Sequence, residues 1–347
     1  MRERFRVGLT RDFLRPDGTV GWGDIGLRML EGASDVEWEF LPDDASELSA
    51  GQVRPYDALI LLGPRVNAAT TEGADRLVLV ARFGVGYDNV DLDACTRSGV
   101  AVTITPDGVR RPVASATLAL LLALAHRVPI KDRIARSGRW EDRLDHMGTG
   151  LTGKTLGSLG LGNIGREVFA LAAPFGLRHL AHDPYVAPET AAEAGIELVD
   201  LETLLRLSDF LTVNCALTPE TRRLLDAERL GLMRETAYLV NVARGQIVDQ
   251  RALTEALREG RIAGAGLDVF EEEPADPDDP IFALPNVIVA PHALAWTDEL
   301  ALGNGGACGS VLDVAAGRIP KNVVNGDVLG TPLFKEKLGR RVGGREA

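Results

Sequence analysis

The 347-residue sequence is poor in cysteine and in aromatic residues, and it has no excess of basic charge. Its three cysteines, Cys95, Cys215 and Cys308, are widely spaced and odd in number, which indicates neither a disulfide framework nor a metal cluster. We therefore expect core-filling cysteines in a reducing compartment, a cytoplasmic protein, and no bound metal.

Charge and hydropathy narrow the range of partners. The 38 Lys and Arg residues stand against 50 Asp and Glu, a net charge of −12, whereas nucleic-acid grooves and anionic membrane surfaces need basic patches. The longest apolar run, Val113–Ala125, is shorter than the roughly 20 residues that span a bilayer. The charged start, Met1–Arg6, has no apolar signal-peptide core. The sequence thus predicts a soluble protein that binds neither nucleic acid nor membrane, with a buried helix at Val113–Ala125.

What the sequence does have is a regular alternation of short apolar runs and helical patterns, over a length that suits about two domains. This alternation predicts an α/β protein with parallel sheets covered by helices on both faces. The predicted strands are Phe5–Leu9, Val36–Phe40, Asp57–Leu62, Leu77–Arg82, Val100–Ile104, Thr155–Leu161, Leu177–His182, Phe210–Cys215, Ala237–Val242, Ile262–Val269 and Val287–Ala290. Further predicted helices are Leu92–Ser98, Ile164–Phe175, Leu201–Leu207, Gln250–Glu259 and Thr297–Ala316. We also expect a turn at Thr105–Gly108 and a loose tail after Gly330.

Three segments match the dinucleotide-binding pattern G-x-G-x-x-G: Gly21–Gly26, Gly148–Gly153 and Gly160–Gly165. The pattern is informative only after a strand, before a helix, and with an acidic residue about 20 positions further on. Gly21–Gly26 follows a loop and Gly148–Gly153 precedes a strand, so neither segment has the context of a dinucleotide-binding loop. Gly160–Gly165 follows a predicted strand, opens a predicted helix, and is followed 18 residues later by Asp183.

The glycines of this third segment suit the pyrophosphate of a dinucleotide. Gly160 permits a tight turn, Gly162 lets the backbone approach the phosphates, and Gly165 lets the helix pack closely on the strand. The sequence therefore predicts a dinucleotide cofactor at this loop.

The start of the following helix supplies further cofactor contacts. Asn163 and Ile164 open that helix, whose free N–H groups and dipole favour anions, and Arg166 adds a charge-assisted contact. Asp183 would accept hydrogen bonds from the adenosine ribose and repel a 2′-phosphate. NAD is thus predicted in preference to NADP.

The segment Gly148–Thr155 also matches the P-loop pattern G-x-x-x-x-G-K-[ST] in full, with Lys154 as its lysine. A P-loop joins a strand to a helix, so that its amides converge on phosphate. Here a charged stretch precedes the motif and the strand Thr155–Leu161 follows it. We favour Lys154 as the lead into that strand, with nucleotide hydrolysis as a minor alternative.

Three polar residues follow predicted strands in the second half of the chain: Arg244, Glu273 and His292. The carboxyl ends of parallel strands meet at one edge of a sheet, which is the usual place of a site. Taken singly, they could be a surface arginine, one of three consecutive glutamates and a capping histidine. Together, beside a nicotinamide, they would provide an acid or base, its carboxylate partner and a fixed cation, the groups that hydride transfer needs.

Longer segments carry a family resemblance. Asn241–Asp249, Gly264–Pro274 and Pro291–His292, with Ala81–Asp91 in the first half, resemble the D-isomer-specific 2-hydroxyacid dehydrogenases. The resemblance implies an NAD-dependent oxidoreductase that interconverts a D-2-hydroxy acid and its 2-oxo acid. It also implies two doubly wound parallel-sheet domains, a Rossmann NAD domain inserted in a flavodoxin-like substrate domain.

The family architecture implies boundaries for these domains. The substrate domain would take residues 1–107, the NAD domain residues 108–296, and the chain would return to the substrate domain over residues 297–330, with a tail at 331–347. Relatives pair through the apolar helix Val113–Ala125, so a homodimer is expected.

The family's catalytic roles carry over to the matching residues. His292 would protonate the substrate carbonyl oxygen as hydride reaches C2, and Glu273 would stabilise the protonated imidazole. Arg244 would clamp the substrate's carboxylate or carbonyl. The backbone amides of Val85 and Gly86 would hold the carboxylate.

The resemblance implies cofactor contacts too. Asp268 would face the nicotinamide carboxamide, and Cys215, Thr221 and Val242 would line the cofactor groove.

Two features bear on the substrate. Family members commonly have glycines soon after the catalytic histidine, where this chain has Leu294 and Trp296, which would narrow or reshape the pocket. Arg65 and Arg82 follow predicted strands of the substrate domain and suggest a substrate with a second anionic group, although ordinary surface salt bridges are the simpler explanation. Another class of function stays open, an NAD(H)-sensing corepressor-like protein without turnover, because such corepressors resemble this family.

Overall fold

A computed structural model describes residues 4–342 of the chain. The chain divides into two compact units, each with its own parallel sheet. The first unit comprises the chain up to Val109 and from Trp296 onward, and the second comprises Arg110–Ala295.

Each predicted strand is present and lies within its predicted bounds, whereas the two-residue strand β8 was not predicted. The strands are β1 (Phe5–Leu9), β2 (Val36–Phe40), β3 (Ala58–Leu61), β4 (Leu79–Arg82), β5 (Ala101–Thr103), β6 (Thr155–Leu159), β7 (Arg178–His182), β8 (Glu197–Leu198), β9 (Phe210–Val213), β10 (Tyr238–Asn241), β11 (Gly264–Leu267) and β12 (Val287–Val289). The α-helices are α1 (Leu27–Glu31), α2 (Ala50–Val53), α3 (Ala68–Thr71), α4 (Leu92–Arg97), α5 (Pro106–Ala125), α6 (Val128–Ser137), α7 (Asn163–Ala172), α8 (Pro188–Glu193), α9 (Leu201–Leu207), α10 (Ala227–Leu230), α11 (Gln250–Arg258), α12 (Asp298–Asn304), α13 (Gly306–Ala315) and α14 (Pro332–Val342).

The first sheet has the strand order β2-β1-β3-β4-β5, and its pairings are parallel. This is the flavodoxin-like order, which reverses between β1 and β3. Its central strand β3 is apolar and buried along its whole length, as expected where helices cover both faces of a parallel sheet. The carboxyl ends of β1, β3 and β4 therefore lie side by side.

The second sheet has the order β12-β11-β10-β9-β6-β7-β8, again with parallel pairings. Strands β6 to β8 extend to one side and β9 to β12 to the other, which is the Rossmann arrangement. The order reverses between β6 and β9, and ligands of such sheets bind outside the carboxyl ends at that point. The predicted fold class, two doubly wound parallel sheets of flavodoxin-like and Rossmann type, is confirmed.

The turn predicted at Thr105–Gly108 is wrong, because α5 already begins at Pro106. Proline is tolerated in the first helical turn, where its missing N–H has no intrahelical acceptor. By length and composition α5 could cross a bilayer, but 61% of its most apolar window is buried within the fold. That burial is the pattern of a core helix, as predicted for Val113–Ala125.

The single helix predicted over Thr297–Ala316 is also wrong, because α12 and α13 are separated at Gly305. The glycines here serve close packing. A Cβ on Gly303 would lie 2.5 Å from the Cα of Gly108, and one on Gly305 would lie 3.2 Å from the Cα of Gly26. The helix pair thus packs directly against backbone of the first unit.

The expectation of a loose tail after Gly330 is wrong for Pro332–Val342, which forms α14. This helix buries Phe334, whose exposure is 1%, in the core of the first unit. The remaining predicted tail, residues 343–347, lies outside the described residues.

Lys337 on α14 is 5% exposed, and its Nζ donates to the carbonyls of Ala74, Leu77 and Ser98 at 3.2, 2.9 and 2.7 Å. Burial lowers the pKa of Lys337 to about 8. Between that value and the ordinary value of 10.5 the unfolded chain binds more protons than the folded one, so stability rises with pH. We expect the free energy of unfolding to rise by up to about 3 kcal/mol over this range relative to the Lys337→Met variant. Chemical denaturation at several pH values measures the free energy of unfolding. Lys335→Met, at an exposed position of the same helix, is the control and should show the pH dependence of the wild type. The same pH dependence in Lys337→Met and in the wild type would contradict the prediction.

Candidate active site and cofactor groove

The loop Gly160–Gly165 joins β6 to α7 where the order of the second sheet reverses. Gly160 has φ +97°, and a Cβ there would lie 2.7 Å from the backbone nitrogen of Cys215 after β9. A Cβ on Gly165 would lie 2.6 Å from the carbonyl oxygen of Gly160, so this glycine lets α7 pack on the loop. Gly162, the N-cap of α7, has open space around it. The loop therefore leaves volume in front of a helix N-terminus, where a pyrophosphate fits.

Asp183 follows β7, the neighbour of β6. Its Oδ2 accepts from the amide of Leu161 at 2.8 Å, and its Oδ1 accepts from the amide of Tyr185 at 2.9 Å. Because each carboxylate oxygen has two lone pairs, both oxygens can accept a further hydrogen bond from ribose hydroxyls. Arg166 is fixed beside the loop, since its Nε donates to the carbonyl of Leu161 at 3.1 Å.

The other predicted groove residues open α7 or follow strands at this edge of the sheet: Asn163, Ile164, Cys215, Thr221 and Val242. Burial raises the pKa of the Cys215 thiol to about 11, so the group stays protonated at neutral pH and is no nucleophile. Thr221 closes the loop after β9, because its Oγ1 accepts from the amide of Thr218 and donates to the carbonyl of Ala216, both at 2.7 Å.

A histidine and a carboxylate form a close pair in the second unit. His292 Nδ1 and Glu273 Oε2 lie 2.7 Å apart, with side chains 48% and 33% exposed. Glu273 is also fixed through its Oε1, which accepts from the amide of Phe270 at 2.9 Å. Burial acts to raise the pKa of Glu273, but the hydrogen bond and charge of His292 and the Phe270 amide outweigh it and hold the pKa below its usual range. The pair therefore keeps an ionised carboxylate on one ring nitrogen.

Asp268 holds the segment that carries His292. Its carbonyl accepts from the amide of His292 at 2.7 Å, and its carboxylate accepts from the amides of Ala293 at 3.0 Å and Leu294 at 3.1 Å. His292 has φ +53°, a left-handed conformation that costs about 1 kcal/mol for a residue with a Cβ and is maintained by such contacts. Burial raises the pKa of Asp268 even though the two amides stabilise its charged form. Sequence reasoning missed these contacts because nothing in the motif reveals them.

Arg244 follows β10, and its loop lies directly on the Phe270–Glu271 backbone. Gly245 makes this approach possible, because a Cβ there would overlap the carbonyl group of Phe270. The charge of Arg244 contributes to the lowered pKa of Glu273. The structure thus brings Arg244, Glu273 and His292 to one edge of the second sheet.

A hydrogen-bond network beside Glu273 was also missed. Arg223, at φ +51°, donates from Nε to Glu271 Oε1 at 2.8 Å. The amide of Glu271 donates to Gln250 Oε1, and its carbonyl accepts from Gln246 Nε2, both at 2.9 Å. The network fixes the segment that carries Glu273, and its only sequence signal is one glutamate in a run of three.

In the first unit, Val85 and Gly86 follow β4. Neither backbone amide has a hydrogen-bond partner within residues 4–342, so the two can bind an anion. Arg82 Nη1 donates to the carbonyl of Phe83 at 2.7 Å. Arg65 is exposed and forms no ion pair with another described residue.

The segment Gly148–Thr155 does not form a P-loop, because β6 follows it and no helix does. Lys154 Nζ lies 3.5 Å from Asp209 Oδ1. In the described part of the chain, no group of three or more His, Cys, Asp and Glu side chains could hold a metal ion.

Residues 118–293 match the model of the NAD-binding domain of D-isomer specific 2-hydroxyacid dehydrogenases. A glyoxylate reductase of Thermococcus onnurineus is 40% identical over 313 residues, which cover 88% of this chain and 93% of that protein. The chain belongs to this family. A D-3-phosphoglycerate dehydrogenase of Methanocaldococcus jannaschii is also 40% identical to this chain. The match extends over 318 residues, which cover 90% of this chain and 59% of that protein. A D-lactate dehydrogenase of Aquifex aeolicus, solved with NAD and lactic acid, superposes with a TM-score of 0.78 at 27% identity, covering 89% of this chain and 94% of that one.

The predicted family, enzyme class and cofactor are therefore confirmed: the dehydrogenase is an NAD-dependent oxidoreductase. The geometry of the glycine loop and of the residue after β7 agrees with this cofactor. The space around Gly162 is open, and the carboxylate of Asp183 can accept further hydrogen bonds.

Proposed function

We propose that this dehydrogenase reduces a 2-oxo acid to the D-2-hydroxy acid and catalyses the reverse oxidation, in the cytoplasm. The observation that carries the proposal is the 2.7 Å contact between His292 Nδ1 and Glu273 Oε2. A carboxylate in contact with one ring nitrogen orients the ring, so that the other nitrogen can transfer a proton, as acid–base catalysis requires.

Reduction needs a hydride and a proton at one carbonyl group. NADH, when bound, supplies the hydride to C2 of the oxo acid. His292 donates the proton from Nε2 to the carbonyl oxygen, and Glu273 stabilises the cationic ring before donation. In the oxidation the same ring nitrogen accepts the hydroxyl proton.

The remaining groups of the second unit orient substrate and cofactor. Arg244 clamps the carboxylate or carbonyl of the substrate, as a planar guanidinium can. Asp268 keeps His292 in place through the adjoining amides, and its carboxylate would accept a hydrogen bond from the nicotinamide carboxamide of the bound cofactor. The cofactor is assigned to Gly160, Gly162, Asn163, Ile164, Gly165, Arg166, Asp183, Cys215, Thr221 and Val242.

Replacing Gly162 by alanine should weaken NADH binding without affecting folding. The space around Gly162 is open and its φ of −75° suits any residue, so the free energy of unfolding should not change. The new methyl group would occupy volume that the pyrophosphate needs, and we expect the Kd of NADH to rise about 10-fold or more. Fluorescence titration measures this, with Gly150→Ala as the control at another open glycine; an unchanged Kd in Gly162→Ala would contradict the assignment.

For the first unit, we assign the free amides of Val85 and Gly86 to the substrate carboxylate, and Arg65 and Arg82 to a second anionic group. The support is the exposed guanidinium of Arg65, which has no ion-pair partner among the described residues. A charged hydrogen bond to phosphate or phosphonate is a strong contact of this kind.

Arg65→Ala tests this second-anion assignment. We expect the KM for phosphohydroxypyruvate or phosphonopyruvate to rise about 10-fold, because a charge-assisted hydrogen bond is lost, while the KM for glyoxylate stays the same. Arg97→Ala, at an exposed position on α4, is the matched control. If Arg65→Ala leaves the KM of every accepted acid unchanged, the assignment is wrong.

We also propose a homodimer. The segment 128–147, which follows α5, exposes four large apolar side chains by 50% to 85% of their surface: Val128, Trp140, Leu144 and Met147. Exposed apolar groups of this kind mark contact surfaces. Sedimentation equilibrium tests the state, and a monomer at assay concentration would contradict it.

The reaction is tested by following NADH oxidation with a panel of 2-oxo acids, from glyoxylate and hydroxypyruvate to phosphohydroxypyruvate, and by chiral analysis of the product. The proposal requires turnover with at least one acid and a D product wherever the product is chiral. Tight NADH binding with turnover of no acid would instead favour a sensing role.

A further inference from the structure

The segment Gly21–Gly26, whose glycine pattern does not mark a dinucleotide loop, has another role in the first unit. Its glycines permit close packing, since a Cβ on Gly26 would lie 3.0 Å from the Cα of Gly305. The segment carries Trp22, whose Nε1 donates to the carbonyl of Asp12 at 3.3 Å. The loop thus holds an indole beside the segment that follows β1, at the carboxyl edge of the sheet.

Trp22 stacks on Trp296, with ring centroids 4.3 Å apart and an angle of 21° between the planes. Trp22 also meets Phe83 edge-on at 6.3 Å, and Phe83 meets Phe13 edge-on at 5.1 Å. The four rings form a continuous row. It runs from the core, where Phe13 is 0% exposed, to Trp296, which is 42% exposed.

Two rings of this row are close in sequence to groups that are assigned to the substrate. Phe83 stands just before the free amides of Val85 and Gly86, the proposed carboxylate site. Trp296 follows His292 by four residues. The stacked indoles are held by neighbouring rings and by a hydrogen bond, so binding a planar group against them costs little further ordering.

We propose that Trp22 and Trp296 contact the part of the substrate that begins at C3, so that among 2-oxo acids without a second anionic group the enzyme prefers those with an aromatic or bulky apolar side chain. This inference rests on the proposed reduction of 2-oxo acids. With the carboxylate held by backbone amides, a ring beyond C3 can stack on an indole, whereas glyoxylate has no carbon beyond C2 and gains nothing. One aromatic contact of this type is equivalent to a preference of about 10-fold in kcat/KM.

The test compares kcat/KM for phenylpyruvate and for glyoxylate in the full-length wild type, Trp296→Ala, Trp296→Phe and Leu302→Ala. Leu302 is 67% exposed on α12 and serves as the apolar control. The wild type should prefer phenylpyruvate. Trp296→Ala should lower the phenylpyruvate-to-glyoxylate ratio by about 10-fold through the KM for phenylpyruvate. Trp296→Phe should restore most of the ratio, and Leu302→Ala should leave it unchanged.

Two results would overturn the inference while leaving the proposed function intact. One is an unchanged ratio in Trp296→Ala. The other is a parallel fall for both acids that Trp296→Phe does not rescue, which would mark Trp296 as structural only. Turnover of no 2-oxo acid by the wild type would overturn the proposed function, and this inference with it.

Discussion

Replacing His292 by asparagine is expected to lower kcat for 2-oxo acid reduction by about 10²- to 10⁴-fold, the range that a positioned general acid contributes. Asparagine is the informative choice because His292 has φ +53°, and asparagine tolerates the left-handed region better than alanine does. The variant removes the proton donor and keeps the backbone conformation. NADH affinity and the thermal midpoint should therefore stay at wild-type values.

Glu273→Gln is the matched comparison for His292→Asn. Glutamine keeps an acceptor for the Phe270 amide, which lies 2.9 Å from Glu273 Oε1, but it removes the negative charge beside the imidazole. The proton donor is still present, so we expect a smaller loss, about 10- to 100-fold in kcat. An equal loss in both variants, or wild-type kcat in His292→Asn, would contradict the division of roles.

Gly245→Ala is expected to have the largest effect on stability at this site. A Cβ there would overlap the carbonyl of Phe270, and backbone cannot yield as the end of a flexible side chain can. Either the Arg244 loop or the Phe270–Glu273 segment must move. We expect the free energy of unfolding to fall by about 2–4 kcal/mol, and kcat to fall about 100-fold in the protein that still folds, because Glu273 is displaced.

Denaturant titration and steady-state kinetics measure the two effects of Gly245→Ala. Gly150→Ala is the control, since the position has no neighbouring atom within 4 Å of a new Cβ and no left-handed φ. It should match the wild type in both measurements. Wild-type stability in Gly245→Ala would show that the close approach of the two segments is not required.

Local sequence patterns predicted the fold and the strand–loop–helix structure around Gly160–Gly165 well, because both depend on interactions close along the chain. The β6–loop–α7 unit and Asp183 after β7 follow from hydrophobic periodicity and from glycines with separate tasks. The break at Gly305 could not be predicted, because it depends on packing against Gly26, far away in the sequence. The start of α5 at Pro106 was predicted as a turn, because proline is common both in turns and in the first turn of a helix.

The position of Arg244, Glu273 and His292 after predicted strands singled them out, but the catalytic roles proposed for them come from the family resemblance. The sequence places Glu273 and His292 after two strands, but it does not specify which carboxylate oxygen meets which ring nitrogen. The sequence also does not reveal the hydrogen bonds between Asp268 and the segment after His292 or those around Glu271, because they join segments that are far apart in the chain. Hydrogen bonds between segments that are distant in the sequence are seen only in the three-dimensional structure.

The proposed role of His292 as proton donor is tested most directly by the rate of NADH consumption with the best 2-oxo acid of the panel, measured for the wild type and for His292→Asn at equal NADH saturation. We expect rapid turnover by the wild type and a loss of at least about 100-fold in the variant, with NADH affinity unchanged. Equal rates in the two proteins would show that His292 is not the proton donor and would contradict the mechanism proposed here.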